Sequence, residues 1–433
     1  MQRALKDGLV LRSVDEDNDR ARQQFLDFFG LEGSEEQWSR DWADDLTEPE
    51  RPTISGEDAW VVVDTNDGDR GVAGLTLIPQ RWRYDGLELH VGRIEHVATA
   101  PAYRRRGLMS ALMQAAHERS ATLGHPLQVI TGRADIYRRY GYTQAVTKWP
   151  RMNIPVAAIP ALPDGEAPRF TLRTATVDDI PTILSLEQQA APGIALTCAR
   201  TADEWRYEMQ RKKTRHSRTE LVVDRMGTAV GFLALTPNAG HCYKYVVGTA
   251  SSYLQTFEDV LRGMQGACAT AAKEKGEDAP TQISFDDGPP VLKSLLGAFY
   301  PPLVYAIPGC WYLRAASPAA LINHLAPVLE QRLEGSAANR YNGRIRIDFY
   351  STKGLEIAFE NGRISARDID IAEDQRFAVD AGFSHHALLN LIFGHNTLAQ
   401  LKGVLPDCSA NPAATVLLEE LFPVMDSQLW AIW

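Results

Sequence analysis

The stretch from Val97 to Tyr142 constrains this chain more than any other. It begins VATAPAYRRRGLMSALMQAAHERSATLG, continues through a short apolar run, PLQVITG, and ends IYRRYGY. The first part has the order strand, basic glycine-containing turn, helix. That order aims a row of backbone N–H groups and a helix N-terminus at one point, where an anion can sit. Leu108, Ala111, Leu112, Ala115 and Ala116 recur at helical spacing, and Gly124 followed by Pro126 stops the helix. Its first turn carries the open donors of Gly107, Leu108, Met109 and Ser110, with Arg104, Arg105 and Arg106 just before it. Each charge-assisted bond from such groups to a phosphate oxygen is worth roughly 1.5–3 kcal/mol. An ordinary solvated charge run before a surface helix would carry the same RRRG string.

The second part adds what a solvated charge run lacks. After PLQVITG, a single helical turn holds Tyr137, and Gly141 lets the chain bend into the next strand at Tyr142. This arrangement resembles the GNAT superfamily of acetyl-coenzyme A-dependent N-acetyltransferases. Their signature is R/Q-x-x-G-x-G/A at the start of a helix, followed by a Y-x-x-x-G-F/Y element. Arg104, Gly107 and the run Tyr137 to Tyr142 match it, whereas Met109 stands where Gly or Ala is usual. The resemblance implies acetyl-CoA as co-substrate, held by Val97, Thr99, Arg104, Arg105, Arg106, Gly107, Leu108, Met109 and Ser110. It also implies Tyr137 as the general acid, with Tyr140 and Tyr142 as competitors and aromatic packing as the plain alternative for all three.

A chain of 433 residues exceeds what one core supports, so two or three domains are expected. Its net charge of −10 argues against nucleic acid as the partner and suits a cationic small-molecule substrate. No run has the length of a membrane span, and the N-terminus lacks the apolar core of a signal peptide, so a cytoplasmic protein without a membrane partner is expected. The 5 cysteines form no CxxC pair and the 10 histidines no HExxH, so reduced thiols and no metal are expected.

Read in order, residues 8–14 suggest a short strand, and a helix from about Asn18 runs into FLDFFG. Trp38 and Trp42 follow, with Asp41, Asp44 and Asp45 around them. Aromatic faces mixed with carboxylates suit a cationic amine, which makes Asp27 and Trp38 candidate substrate-binding residues; helix packing explains the phenylalanines equally well. The runs at 59–64 and 71–79 are joined by TNDGDR, and a third run at 89–100 leads into the cradle. Glu95 and His96 on that last strand are candidates for proton handling, and strict alternation would let only one of them face a cleft.

From Pro150 to Pro168 the chain has 5 prolines, the mark of a strand end and a linker. It then restarts: FTLRTATVDD echoes LVLRSVDED, and LVVDRMGTAVGFLALTP echoes VVVDTNDGDRGVAGLTLIP. No R/Q-x-x-G-x-G/A opens a helix in this second copy. A third unit begins with Ser317 capping a helix, continues through the alternating strand RIRIDFY and a hairpin across Asn361-Gly362, and ends with the helix SHHALLNLIFG. It resembles a sterol-carrier-like domain. The expected fold is α/β (α+β), with tandem GNAT folds, the first active and the second degenerate, followed by a sterol-carrier-protein-like α+β domain. The expected boundaries are 1–150 for the catalytic domain, 151–168 for the linker, 169–314 for the degenerate copy and 315–433 for the last domain.

Together these units resemble the Eis (enhanced intracellular survival) family of acetyltransferases. The resemblance implies acetylation of a primary amine on an aminoglycoside, a polyamine or a lysine-like group, and assembly as a hexamer. It further implies that the chain's terminal carboxylate, here on Trp433, returns to the active site as the base; LFPVMDSQLWAIW is apolar and aromatic to its end, as a buried tail would be. Related enzymes end in Phe with an acidic neighbour, whereas this chain ends Ile432-Trp433, which leaves the amine open. Asp27 and Trp38 match the positions that line the family's substrate cleft. The chemistry has its own demands. An ammonium with a pKa of about 10 leaves roughly one molecule in a thousand as free amine at neutral pH, so a base must take a proton and an acid must protonate the departing thiolate. Two other functions fit the same sequence: a lipid-binding protein using the third unit, and a protein-lysine acetyltransferase.

Overall fold

Two long runs, Arg70–Tyr84 and Leu87–Thr99, fold back on each other across Asp85-Gly86. Both turn residues have positive φ, 47° and 87°, as a two-residue hairpin turn of the favoured twist requires. This hairpin is the spine of the first sheet. The computed structural model describes the chain apart from residues 1, 16–18, 33–35, 149–150, 193, 211, 213, 215–216, 287–293, 296–303, 306–308, 373, 375–377 and 431–433.

The first third supplies β1 (Gln2–Ala4), β2 (Leu9–Ser13), α1 (Asp19–Glu32), α2 (Glu36–Leu46), β3 (Ala59–Asp64), β4 (Arg70–Tyr84), β5 (Leu87–Thr99), α3 (Leu108–Thr122), β6 (Leu127–Thr131), α4 (Ala134–Tyr137) and β7 (Thr143–Lys148). The middle supplies β8 (Met152–Pro155), β9 (Phe170–Thr174), α5 (Ile180–Ala190), β10 (Leu196–Ala199), α6 (Ala202–Gln210), β11 (Arg218–Asp224), β12 (Ala229–Leu235), β13 (His241–Val247), α7 (Tyr253–Lys275), β14 (Gln282–Phe285), β15 (Val304–Tyr305) and β16 (Gly309–Arg314). The last third supplies α8 (Pro318–Glu334), β17 (Gly343–Asp348), β18 (Lys353–Glu360), β19 (Arg363–Asp370), β20 (Ala381–Gly382), α9 (His385–Ile392), α10 (Leu398–Val404), β21 (Ser409–Ala410), α11 (Pro412–Leu421) and β22 (Ser427–Gln428).

Among the described residues these strands form three sheets. Their orders are β1-β2-β3-β4-β5-β6-β16-β7, β15-β8-β14-β13-β12-β11-β9 and β19-β18-β17-β20-β21. In the first sheet β2 to β5 are antiparallel and β6 follows parallel to β5 across α3; in the second, β11 to β13 are antiparallel and β14 follows parallel to β13 across α7. The sheets exchange strands. β16 lies between β6 and β7, with Trp311 opposite both Thr131 and Val146, so residues 309–314 complete the first sheet. β8, inside the stretch expected as linker, joins the second sheet instead, and β10 lies on β4 with β22 beside it. Pairings between segments more than a hundred residues apart leave no local periodicity to read.

Burial follows the patterns in the chain. Ile345, Ile347 and Phe349 are buried on alternate positions, and both hairpin residues Asn361 and Gly362 have positive φ. The largest core cluster is shared between sheets: Trp82, Tyr84, Leu89, Leu127, Val129 and Trp311 pack with α8, α9 and the third sheet. Tyr84 ties the two layers by donating to the Ile392 carbonyl at 2.6 Å. No helix of the described residues is long and apolar enough to cross a membrane.

Candidate active site

The site begins where β5 and β6 part. They pair only through Val91, Gly92 and Arg93, yet β5 continues to Thr99, so its outer backbone beyond Arg93 has no strand partner among the described residues. On its other side the register with β4 slips between Gly74 and Thr76: Thr76 faces Glu95 and Gly74 faces Ala98. His96 and Val97 thus oppose one residue of β4 in a β-bulge, with His96 at φ 52°. Gly74 is required here, because a Cβ would stand 2.7 Å from the Phe29 ring that α1 lays over the bulge.

The basic turn follows. Arg105 and Gly107 take left-handed backbone conformations, φ 65° and 80°, and Gly107 caps α3 with no side chain to accept from its first turn. A Cβ on Gly107 would meet nothing within 4 Å, so the space over the helix N-terminus is open. Arg104, Arg105 and Arg106 are exposed around it. Arg104 Nε donates to the Thr99 carbonyl at 3.4 Å, and Arg106 lies 4.9 Å over the ring of Tyr103, whose hydroxyl donates to Asp64 at 2.9 Å. Met109 packs against the core of the sheet, beneath the turn. A cluster of donors, open N–H groups and guanidinium charge of this kind suits a diphosphate.

The three tyrosines have different surroundings. Tyr142 is fully buried, with its hydroxyl 2.9 Å from His117 Nε2, and burial raises its pKa far above the ordinary phenol value. Tyr140 is tied to α3 through Ser110 Oγ at 3.1 Å. Tyr137 is half-buried and packs against the same core as Val97 and Met109. Its pKa is pushed up to about 12, chiefly by burial and then by the charge of Glu95 and by Tyr140. A phenol so placed stays protonated at neutral pH and can give its proton only to a strong base such as a thiolate.

Glu95 is the carboxylate nearest this chemistry. Arg93, fully buried, forms an ion pair with Glu95 Oε2, while the guanidinium lies 5.2 Å over the ring of Trp311 on β16. The Glu95 side chain keeps 16% exposure. Its neighbour His96 turns to the helices: its ring stacks on Trp42 at 4.6 Å, lies 3.7 Å from Phe29, and places Nε2 3.2 Å from Ser39 Oγ. Burial pushes this imidazole down to about 3, so it is neutral at physiological pH. Glu95 and His96 thus serve different surroundings, as alternation along a strand allows, and the bulge falls at His96 and Val97.

Of the acceptor candidates, Trp38 reaches this region and Asp27 does not. Trp38 is 40% exposed and its ring is 4.9 Å from Trp42, so an aromatic row runs from the surface to His96. Asp27 projects from α1 two residues away from both Phe25 and Phe29, the face turned from the bulge. It accepts from Arg40 at 2.8 Å and Gln23 at 2.7 Å, and it lines a separate groove of about 690 Å³ with Arg20, Gln37 and Arg70. Trp433 lies outside the described residues. Before it, Ser427 and Gln428 pair with β10, and Trp430 is buried beneath the Arg200 guanidinium, 3.8 Å from its ring centroid. Arg93 and Trp311 escaped sequence reasoning: an arginine inside an apolar strand looks like a solvated position, and Trp311 reaches the site only because β16 joins the first sheet.

Residues 14–145 match the family model for an acetyltransferase (GNAT) domain. This segment is a GNAT acetyltransferase domain. The protein is accordingly an enzyme of the N-acetyltransferase class. No curated protein sequence matches the chain. Solved structures share its fold over almost its whole length. One is a conserved protein from Enterococcus faecalis V583, called a probable N-acyltransferase, at 13% identity and TM-score 0.68, covering 98% of this chain and 100% of that one. A GCN5-related N-acetyltransferase from Anabaena variabilis is similar at 15% identity and TM-score 0.64, covering 97% and 99%. Eis1 from Mycobacterium abscessus is similar at 15% identity and TM-score 0.58, covering 98% and 99%.

The open cradle belongs to the GNAT domain alone among the two strand–helix junctions of this kind. At the start of α7, Ser252 Oγ accepts from Gln255 N at 3.3 Å and so caps the helix itself. Tyr253 Oη accepts from the Val247 N–H and donates to the Tyr245 carbonyl, both at 3.3 Å. Among the described residues no group of three or more His, Cys, Asp or Glu is arranged to hold a metal ion.

Proposed function

We propose that this protein transfers an acetyl group from acetyl-CoA to a primary amine, with the diphosphate of the cofactor on the Arg104–Ser110 turn and Tyr137 as the acid that protonates the departing thiolate. The observation that carries the reading is the bare N-terminus of α3 facing open space, with Tyr137 packed against the same core. Val97 and Thr99 lie where the outer edge of β5 has no strand partner among the described residues, and there the amide-bearing arm of the cofactor can add as an extra strand. The acceptor amine enters along the aromatic row from Trp38, with Asp27 on the neighbouring groove lined by Gln37 and Arg40. Aminoglycosides, polyamines and lysine side chains all present such an amine. The second sheet is a GNAT fold that has filled its own cofactor site, and the third is the sterol-carrier-like domain that braces the first. Assembly as a hexamer is implied by the Eis resemblance.

Calorimetry with acetyl-CoA tests this directly. Binding in the micromolar range that is lost when Arg104 and Arg106 are both changed to Ala supports it; wild-type protein that binds no acetyl-CoA removes it. Tyr137→Phe should then lower kcat by about a hundredfold in a thiol-release assay while acetyl-CoA binding persists.

A further inference from the structure

We propose that the open edge of β9, in the second sheet, takes an extended segment of a partner protein as an added strand, and that this segment carries a basic residue beside a small apolar one. The proposal is independent of the acetyl-transfer reading.

The chain supplies its own comparison. β9 echoes β2 position by position, so that Leu172 corresponds to Leu11 and Arg173 to Arg12. In the first sheet β2 lies between β3 and β1, with Leu11 opposite Arg3. The Val14 N–H donates to the Ala59 carbonyl and the Leu5 N–H to the Leu9 carbonyl, so the odd positions of β2 are the ones that bond to β1. In the second sheet β9 pairs with β11 and, among the described residues, with no strand on its other side. There the Ala175 N–H donates to the Thr219 carbonyl, so the N–H and C=O of Leu172 point away from β11, to the side where Leu11 meets Arg3. The positions that echo β1 are Pro163, Asp164 and Gly165, and they form a turn closed by the Glu166 N–H on the Pro163 carbonyl. Proline has no N–H to give a ladder, so the segment before β9 does not cover this edge as β1 covers β2.

Beside the edge lies a groove of about 560 Å³ between β9 and α7. Leu172 and Thr174 form one wall, and Gly266, Ala267 and Thr270 the other. At Gly263 the helix comes so close that a Cβ would stand 2.7 Å from the Leu172 side chain, whereas a Cβ on Gly266 would meet nothing within 4 Å. The groove is therefore narrow at one end and open further along, which suits a short apolar side chain next to a longer one.

Charge sets the chemistry of the longer one. Arg262 is held by Asp259 and Glu258, Arg218 by Glu220, and Asp259 also accepts from the N–H groups of Arg169 and Phe170. Glu274 lines the same groove, exposed and without an ion pair among the described residues. In the first sheet the added strand meets its helix through such a pair: Arg3 of β1 reaches Glu118 of α3 at 2.7 Å. α3 and α7 hold the same place in their sheets, each joining two parallel strands. A strand on β9 with a lysine or arginine turned to α7 has Glu274 as its partner, and Arg3-Ala4 of β1 is the pattern that fits.

The test uses the full chain and a labelled peptide of the β1 sequence, MQRALKD, in fluorescence anisotropy. Saturable binding is expected. Leu172→Pro removes one donor from an edge where proline is tolerated, and Gly266→Leu fills the groove while favouring the helix; each should weaken binding by about tenfold. Glu274→Lys should weaken it as well, and should restore binding of the peptide that carries Arg3→Glu. Should Leu172→Pro fail to fold by circular dichroism, Gly266→Leu reads the same edge. Absence of saturable binding to the wild type overturns the proposal, as does binding that neither Gly266→Leu nor the charge swap alters. Self-association in sedimentation that the same substitutions abolish would put a second copy of this chain on the edge and overturn it too. Acetyl-CoA binding should be unchanged in every variant, so failure here and failure of the acetyl-transfer reading are separate results.

Discussion

His96 shows how a single side chain can be costly and still kept. It sits in a left-handed backbone conformation that non-glycine residues adopt rarely, and its ring is enclosed by Phe29, Trp42 and Ser39. Burial lowers its pKa from 6.5 to about 3, so the unfolded chain takes up a proton between these values that the folded chain refuses. The stability tied to neutral His96 is therefore complete above pH 6.5 and is lost progressively as pH falls towards 3, at ~1.4 kcal/mol for each pH unit of separation. His117, His125 and His386, each lowered to about 4 by burial, act in the same direction. His96→Asn, which tolerates the backbone geometry, should lose less stability than wild type between pH 7 and pH 4 in urea titrations. Equal losses would mean that His96 carries no part of the acid sensitivity. Residue types at this scale were legible: Glu95 and His96 stood out in the strand, as did Tyr137. Their surroundings were not, because the helices over His96 and the bulge it opens depend on packing and on register with β4.

At the scale of elements, β16 carries the most consequence. Its six residues, Gly309–Arg314, pair with β6 on one edge and β7 on the other. Trp311 joins the cluster that connects the first sheet to α8 and α9, and the same ring supports Arg93. Arg314 reaches Gln128 at 2.6 Å and stands beside Gly141, the bend between Tyr137 and β7. Trp311→Ala should cost about 3–5 kcal/mol in chemical denaturation, as loss of a fully buried aromatic does, and a change under 1 kcal/mol would show that the strand is not braced there. The helix-start elements were easier to read. Gly107, the three arginines and the spacing of Leu108 to Ala116 lie within one local stretch, and local sequence is what sets a helix cap and an apolar face. Ala111 is only half-buried, with Met113 taking the interior position beside it.

At the scale of the whole molecule, the described residues form three sheets that lend strands to one another. Residues 1–150 include every element of the cradle, yet their sheet has a vacant track between β6 and β7 and lacks β10 on β4. Expressed alone, residues 1–150 should give no cooperative thermal transition by far-UV circular dichroism, whereas the full chain should. A sharp transition in the fragment would show that β16 is dispensable to the fold. What the amino-acid sequence determined by itself is the set of local devices: the basic turn and its helix, the Tyr137 turn, the Asn361-Gly362 hairpin, and the echo between the first and second thirds. Each rests on interactions among residues close in the chain, whose periodicity and backbone preferences are written there. What only the tertiary structure decided is which strands share a sheet and which side chains meet. The insertion of β16 and the seating of Arg93 against Trp311 both depend on contacts between distant segments. Such contacts are chosen by burial and register across the assembled core, and no window of sequence contains both partners.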